Sequence, residues 1–247
     1  MKNTMKKIVT LSTALLVSVV LSFGQNKMTV DSVFADYYSA TGGENLWKNI
    51  KSYTLKRSYA SGSAADYDAE FYVSMPEKAM SKSKIIMKRS FIYGVKGSEG
   101  WLKIPIGGSD KATKYQVKDL SQNEQSTMRL EMYDLLASFV NYKDRDLIAT
   151  FVGPEKLDGN TVNQVELQGK GVKYNLYFDA TKGLLVRQKQ TMDGVVTTTD
   201  YSDYKKSTYG IMYPSILIET SSKDNAKTTI TSELAVNETI SPEYFQR

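Results

Sequence analysis

The chain has 247 residues, with 32 Lys and Arg against 27 Asp and Glu, and it contains neither cysteine nor histidine. The missing histidine excludes Ser-His-Asp and Cys-His catalysis and His-ligated zinc, and the missing cysteine excludes disulfides, thiol nucleophiles and iron–sulfur clusters. The formal net charge of +5 would suit a nucleic-acid partner, and the first segment of the chain bears on that interpretation.

Residues 1–24 are predicted to form a secretory signal peptide. Three lysines precede an apolar stretch over residues 8–21, and the small residues Ser22 and Gly24 predict cleavage before Gln25. The apolar stretch is short for a transmembrane helix. Cleavage leaves 29 basic against 27 acidic residues, a balance that does not favour a nucleic-acid partner. We therefore expect an exported protein of a bacterial periplasm.

The remaining chain, residues 25–247, is predicted to begin with a helix. Thr29 can act as its N-cap, apolar residues recur at helical spacing, and Gly42-Gly43 ends it. A short second helix is expected over residues 44–50.

From Ser52 onward the apolar period changes to two. Over residues 66–75 the odd positions are apolar and the even ones mostly polar, which predicts a half-buried antiparallel strand. Turn signals such as Asp158-Gly159 and Asp193-Gly194 separate further windows of this kind. These windows lie at about 52–60, 79–88, 91–97, 99–104, 147–153, 161–168, 172–178, 184–192, 195–205, 215–221 and 227–236.

One helical segment interrupts the strands. Ser121 and Glu124 form a capping box, and an apolar stripe continues to about Val140. The order of elements favours one α+β domain. About a dozen antiparallel strands must curl or close, so the sheet has a concave apolar face. Side chains either fill that face or leave a cavity for an apolar ligand, and periodicity does not distinguish the two.

Short motifs that could carry catalysis are weak. Two S-x-x-K matches lie in strand-like windows, where residues three apart point to opposite faces. Carboxylate pairs that could serve a glycosidase are predicted on solvated faces. No cofactor motif or set of metal ligands is recognised, so neither a cofactor nor a metal is expected. The motifs considered are Ser81…Lys84, Ser202…Lys205, Asp66/Asp68 and Asp144/Asp146.

Arg57 is an unusual residue for an inner strand face. It lies between Leu55 and Tyr59 with period two, so its charge should point inward. An unpaired buried charge is costly. Arg57 could therefore bond the end of a covering helix, hold a polar group of a ligand, or extend to water from an edge strand.

An ordered set of short motifs resembles the LolA-like, outer-membrane lipoprotein-sorting family. The set covers nearly the whole of residues 25–247, and each piece is short. It begins with the stretch from Phe34 to Gly43, Leu46-Trp47 and Ile50-Lys51-Ser52. It continues with Gly100-Trp101, Leu157-Asp158-Gly159, Tyr177-Phe178-Asp179, Gly183-Leu184-Leu185, Tyr201-Ser202-Asp203-Tyr204-Lys205, Gly210-Ile211-Met212-Tyr213-Pro214 and Pro242-Glu243-Tyr244-Phe245.

The resemblance implies a curled antiparallel half-barrel of about eleven strands, with two or three helices covering the concave face. It also implies a non-enzymatic periplasmic carrier for an apolar ligand such as lipoprotein acyl chains, with envelope membrane proteins as candidate partners. A monomer is expected, and Arg57 would latch the lid. The residues expected to line the ligand site are Leu55, Tyr59, Phe71, Val73, Met75, Ile85, Met87, Phe91, Trp101, Leu176 and Phe178.

Two other functions compete with the carrier. One is an envelope adaptor or sensor with a filled interior and no lipid ligand, which a cavity below about 300 Å³ would favour. The less favoured one is a hydrolase that uses carboxylates or a Ser-Lys pair.

Overall fold

The computed structural model describes residues 28–62, 64–107 and 114–247. These residues form an α+β fold, as expected, but with thirteen strands, so the count of about eleven is wrong. The predicted signal peptide and its cleavage site lie outside the described residues.

The α-helices are α1 Val30–Ala40, α2 Glu44–Lys48 and α3 Gln122–Asp134, and short 3-10 helices cover Lys143–Arg145 and Pro242–Phe245. The strands are β1 Ser52–Ser61, β2 Tyr67–Ser74, β3 Ala79–Ile86, β4 Arg89–Lys96, β5 Glu99–Ile106, β6 Lys114–Asp119, β7 Ile148–Leu157, β8 Asn160–Gly169, β9 Val172–Asp179, β10 Leu185–Met192, β11 Val195–Lys206, β12 Met212–Ser221 and β13 Lys227–Val236.

All thirteen strands belong to one antiparallel sheet. Strands that follow one another in the chain pair with each other, except for β6 and β7. In addition, β1 pairs with β13 and thereby joins the two runs of strands. β6 and β7 are the two edges, so the sheet is open, and α3 connects them in the chain.

Two consecutive residues at the end of α3 show that the sheet curls. Asp134 accepts a hydrogen bond from Tyr174 on β9, and the Leu135 carbonyl accepts one from Arg57 on β1. Four strands separate β9 from β1, a distance of about 24 Å across a flat sheet. Because two adjacent residues reach both strands, the sheet must wrap around the end of α3.

The alternation of apolar residues correctly predicts the central strands. In β9, Val172, Tyr174, Leu176 and Phe178 are all buried. The hairpin turns also form as predicted, since the Asp-Gly pairs at 158–159 and 193–194 both adopt the positive φ angles that tight hairpins require.

Strand β6 was not predicted from the sequence. Its apolar residues are only Tyr115 and Val117, and all of its residues but Tyr115 are exposed. β6 pairs only with β5 and is an edge of the sheet. An edge strand of this kind buries too little surface to impose a period-two pattern on its sequence.

The first helix begins and ends where the sequence predicts. The Thr29 side chain accepts a hydrogen bond from the Ser32 backbone N–H, and the Ser32 side chain accepts one from the Thr29 backbone N–H. Gly42 and Gly43 follow with φ angles of 113° and 103°. A Cβ at Gly42 would lie 2.8 Å from the Gly210 carbonyl oxygen, so this turn also packs tightly on the β11–β12 loop.

Helix α3 begins at its predicted capping box, but it ends at Asp134 and not near Val140. Side chains of β1 take two of its terminal carbonyls: Tyr53 donates to Met132 at 2.5 Å and Arg57 donates to Leu135 at 3.2 Å. A helix leaves its last carbonyls unpaired, and these tertiary donors satisfy two of them. The apolar spacing past Asp134 reflects a turning segment that inserts Phe139 into the core.

The core lies between the concave face and the helices. Helix α3 covers β3–β5, where the Gln125 side chain packs on Gly100 so closely that a Cβ there would be 2.4 Å away. Helix α1 is packed through Phe34, which stacks on Phe139 at 4.6 Å and meets Phe178 edge-on at 5.8 Å. Within the described residues, none of the helices has the length and apolar character needed to cross a bilayer.

Candidate functional site

A partly open cavity of about 330 Å³ lies between α3 and the concave face. Its lining comes from α3 and from six strands, β1, β2, β3, β10, β11 and β12. The aliphatic lining residues are few: Leu130, Leu135, Met192 and Leu217. Most of the others are polar, and the charged ones are Arg57, Lys82, Glu131, Asp134 and Glu219.

Arg57 reaches the cavity because β1 alternates its side chains. Its Nη2 donates to the Leu135 carbonyl at 3.2 Å, and its Nε donates to Ser232 Oγ at 3.2 Å. Of the three alternatives left open by the sequence, the structure therefore shows the bond to the end of a covering helix. A cation at a helix C-terminus also interacts favourably with the helix dipole.

Lys82 fastens the middle of α3 to the sheet. Its Nζ lies 2.6 Å from Glu131 Oε1, and about a quarter of each side chain is exposed. Burial lowers the pKa of Lys82, but the neighbouring Glu131 carboxylate more than offsets this and leaves the pKa raised. Lys82 is therefore held charged and paired at the cavity wall.

Asp134, the last residue of α3, is the centre of a buried polar network. Tyr174 Oη lies 2.9 Å from its Oδ2, Gln190 Nε2 donates to the same oxygen at 3.1 Å, and Arg145 Nη2 lies 3.5 Å from its Oδ1. Burial raises the pKa of Asp134 to about 6, although Arg145 and Tyr174 act in the opposite direction. The network connects the end of α3 to β9 and β10.

Glu219 differs from the other four charged lining residues. It lies on β12, opposite Thr199 of β11 and Thr228 of β13. Its carboxylate makes no hydrogen bond or ion pair with any residue in the part of the chain that the structure describes. Burial raises the pKa of Glu219, and the positive charge of Arg57 opposes that rise.

Aromatic rings form one side of the cavity. Tyr59 and Tyr67 stack with their ring centroids 4.5 Å apart, because β1 and β2 place them directly opposite each other. Tyr201 of β11 lines the same space. These rings combine a flat apolar face with a hydroxyl group, so they can contact either part of an amphiphilic molecule.

The predicted ligand-site residues have different positions in the structure. Arg57 and Tyr59 line the cavity. Met75 and Phe91 are half-buried, Ile85 is half-buried beside an outer depression, and Met87 is 88% exposed. The others are buried in the core: Leu55, Phe71, Val73, Trp101, Leu176 and Phe178.

Four of the charged lining residues were not predicted from the sequence. In β12, Glu219 shares a face with Leu217, but Ile216 and Ile218 make the other face equally apolar. Alternation therefore gives no indication of which face is internal. Lys82 could have been placed inside, since it shares the face of buried Met80 with period two. The positions of Glu131 and Asp134 depend on how α3 is rotated over the sheet.

The residues considered for catalysis are not gathered in this cavity. Asp66, Asp68, Asp144 and Asp146 are exposed. Ser81 is buried on β3, and Ser202 lies exposed on β11 and donates to the Ile216 carbonyl.

A second depression, of about 530 Å³, lies outside the sheet's interior. It is bordered by α1, α2 and the segment over residues 139–144. Aromatic side chains make up much of its wall: Phe34, Tyr38, Trp47, Phe139 and Tyr142.

Comparison with solved structures identifies the fold. A LolA superfamily protein from Nitrosomonas europaea is 14% identical, with a TM-score of 0.56, over 89% of this chain and 98% of its own. A domain from Vibrio parahaemolyticus, described as an outer-membrane lipoprotein-sorting protein, is 13% identical with a TM-score of 0.57, over 87% of this chain and 94% of its own. No protein-family model and no curated protein matches the sequence. The chain therefore has the fold of LolA superfamily structures.

Proposed function

We propose that this chain, which folds like LolA superfamily proteins, is an exported, non-enzymatic protein that binds and carries a lipid. The observation that carries the proposal is the attachment of α3 to the concave face. Tyr53 and Arg57 hold the last turn of this helix through its carbonyls, and Lys82 holds its middle through Glu131. A helix fastened by polar contacts over a curled sheet can act as a lid, and we use that name for α3.

The apolar surface under the lid supplies the binding energy in this proposal. Met128 and Met132 of α3 belong to the same buried cluster as Leu55, Phe71 and Val73 of the sheet. Displacement of α3 would uncover these three residues, which are among those predicted to contact the ligand. Each buried methylene group of an acyl chain would then contribute about 0.8 kcal/mol.

Lipoprotein acyl chains are the ligand class that the relatives suggest, because one of the structures with this fold is described as a lipoprotein-sorting protein. A periplasmic location follows from the predicted signal peptide over residues 1–24. In that location the partners would be envelope membrane proteins that deliver or receive the lipid, and the carrier would act as a monomer.

A disulfide that locks the lid tests the proposal. A Cβ at Gly100 lies 2.4 Å from Gln125 Cγ, a proximity that suits a disulfide between Gly100→Cys and Gln125→Cys. The chain has no other cysteine. We expect the reduced protein to bind a fluorescent fatty acid and the oxidised protein to lose binding, so that the reduced form is a matched control.

Two outcomes would contradict the proposal. Equal binding by the oxidised and reduced forms would show that the first turn of α3 does not need to leave β5 for the ligand to enter. The absence of lipid in an organic extract of the natively purified protein, analysed by mass spectrometry, together with no fatty-acid binding, would contradict the carrier function itself.

The packed core supports one alternative. The cavity of about 330 Å³ is not below the roughly 300 Å³ that would by its size alone favour an adaptor, but the core beneath α3 is filled by side chains. An envelope adaptor or sensor without a lipid ligand would have this interior. The same extraction and binding measurements distinguish it from the carrier, because an adaptor would yield no lipid in either.

A further inference from the structure

We infer that the cavity under α3 is a headgroup site for a zwitterionic amphiphile, with Glu219 receiving the cationic group and Arg57 the anionic group. This inference rests on the proposed lipid-binding function and specifies the class of lipid. It depends on the polar residues that line the cavity and not on the buried apolar residues that α3 covers.

The charged residues of the cavity are not equally available to a ligand. Lys82 is paired with Glu131 at 2.6 Å, and Asp134 is surrounded by Tyr174, Gln190 and Arg145. A ligand would have to compete with these ion pairs to use Lys82, Glu131 or Asp134. Among the described residues, Arg57 and Glu219 are the two charged lining residues with no ion-pair partner within 4 Å.

Glu219 can receive a cation. Its carboxylate has no hydrogen-bonding or ionic partner among the described residues, and burial disfavours its charged form. An ionised carboxylate removed from water is costly unless a partner compensates it. An ammonium group would supply both a positive charge and up to three hydrogen-bond donors. The faces of Tyr59, Tyr67 and Tyr201, which line the same cavity, are a further favourable environment for a cation.

Arg57 can receive an anion without releasing the lid. A guanidinium group has five N–H donors. The Leu135 carbonyl and Ser232 Oγ each accept one of them, and the guanidinium also bonds to Tyr59, so two of the five donors remain available to a phosphate or carboxylate. Arginine is well suited to such groups because its planar fork can donate two parallel hydrogen bonds.

The separation of the two charges favours a zwitterion over a simple ion. Arg57 and Glu219 lie on the two strands that flank β13, opposite Ser232 and Thr228 respectively. They influence each other's pKa, yet they are not among the ion pairs within 4 Å in the described chain. A purely anionic headgroup would be repelled by Glu219, and a purely cationic one by Arg57 and Lys82. A headgroup with both charges complements both residues.

The test compares two lipids that differ only in the headgroup. Isothermal titration calorimetry would measure the binding of lysophosphatidylethanolamine and lysophosphatidylglycerol with the same acyl chain, below their critical micelle concentrations. We expect the wild-type chain to bind the zwitterionic lipid about tenfold more tightly, which corresponds to about 1.4 kcal/mol. Glu219→Gln should abolish that preference.

Glu233→Gln is the matched control, because Glu233 lies on neighbouring β13 but is exposed. It should retain the preference. Thermal unfolding of Glu219→Gln checks its folding, and its Tm should not fall, since a half-buried unpaired carboxylate is removed.

Three results would overturn the inference. Equal affinity of the wild-type chain for both lipids, or a preference that persists in Glu219→Gln, would exclude the headgroup site while leaving lipid binding intact. Failure to bind either lipid or a fatty acid would remove the proposed function, and this inference with it.

Discussion

Arg57 Nη2 donates to the Leu135 carbonyl at 3.2 Å and so joins the first strand of the sheet to the C-terminal end of α3. The bond connects residues 78 positions apart in the chain. It satisfies a carbonyl that the helix itself leaves unpaired and places a positive charge at the negative end of the helix dipole. The same guanidinium faces the cavity, so the attachment of the lid and the chemistry of the site share one side chain.

Arg57→Leu should speed the exchange of a bound lipid. A hydrogen bond from a charged donor contributes about 1.5–3 kcal/mol, so its loss should raise the rate of lid opening roughly tenfold or more. Stopped-flow release of a fluorescent fatty acid measures this rate. Lys56→Leu is the control, since Lys56 is exposed on the same strand. Unchanged exchange in Arg57→Leu would remove Arg57 from the mechanism.

Asp134 should make the folded protein less stable as the pH rises from about 4 to above 6. Burial raises its pKa to about 6 from a usual value of 3.8, so in this window the folded state binds more protons than the unfolded state. Stability then falls with rising pH, by at most about 3 kcal/mol, and the effect is complete above the folded-state pKa.

Urea unfolding across this pH range, compared between the wild-type chain and Asp134→Asn, checks the prediction. The difference between the two curves isolates Asp134, because other carboxylates contribute with either sign: Glu219 has a raised pKa and Glu124 a lowered one. A constant difference between pH 4 and pH 7 would show that Asp134 does not titrate there.

Gly42→Ala should destabilise the protein more than Gly43→Ala. Both glycines have positive φ angles, which cost an alanine about 1–2 kcal/mol. A Cβ at Gly42 would also lie 2.8 Å from the Gly210 carbonyl oxygen, whereas one at Gly43 would have nothing within 4 Å. Urea unfolding should therefore show an additional loss of at least about 1 kcal/mol for Gly42→Ala. Equal losses would mean that the β11–β12 loop moves freely to make room.

Phe139→Ala should reduce the free energy of unfolding by about 3–5 kcal/mol. Phe139 is completely buried, stacks on Phe34 at 4.6 Å and meets Phe178 edge-on at 5.4 Å. Its removal leaves a cavity where the segment after α3 joins the core. Met87→Ala, at a site 88% exposed, should change stability by less than about 0.5 kcal/mol. A loss below 1 kcal/mol in Phe139→Ala would show that the aromatic cluster collapses to fill the space.

The features of the fold that the sequence predicted correctly were those set by local signals. The capping residues Thr29 and Ser121 both mark helix starts, and the Asp-Gly pairs both form hairpin turns. These features depend on backbone groups a few residues away. The end of α3 at Asp134 could not be read in this way, because the donors that occupy its carbonyls come from Tyr53 and Arg57 on a distant strand.

In the candidate site, too, some residues could be placed from the sequence and others could not. Period-two alternation correctly placed Arg57 and Tyr59 on an inner face, and it placed Phe71 and Val73 on a buried one. It could not find Glu219, because both faces of β12 carry apolar residues. The alternation in a strand reports which side chains share a face. It does not report which face a curled sheet turns inward, or which charges then meet there.

The sequence by itself thus determined the α+β class, the order of helices and hairpins, and an inward arginine on β1, because each follows from side-chain period and local turn chemistry. The tertiary structure decided that β1 pairs with β13, that the sheet curls around the end of α3, and that the cavity between them is lined mainly by polar residues. Those properties depend on contacts between residues far apart in the chain. These contacts are stabilised by the burial of apolar surface, by hydrogen bonds donated to the terminal carbonyls of α3, and by the pairing of charged side chains.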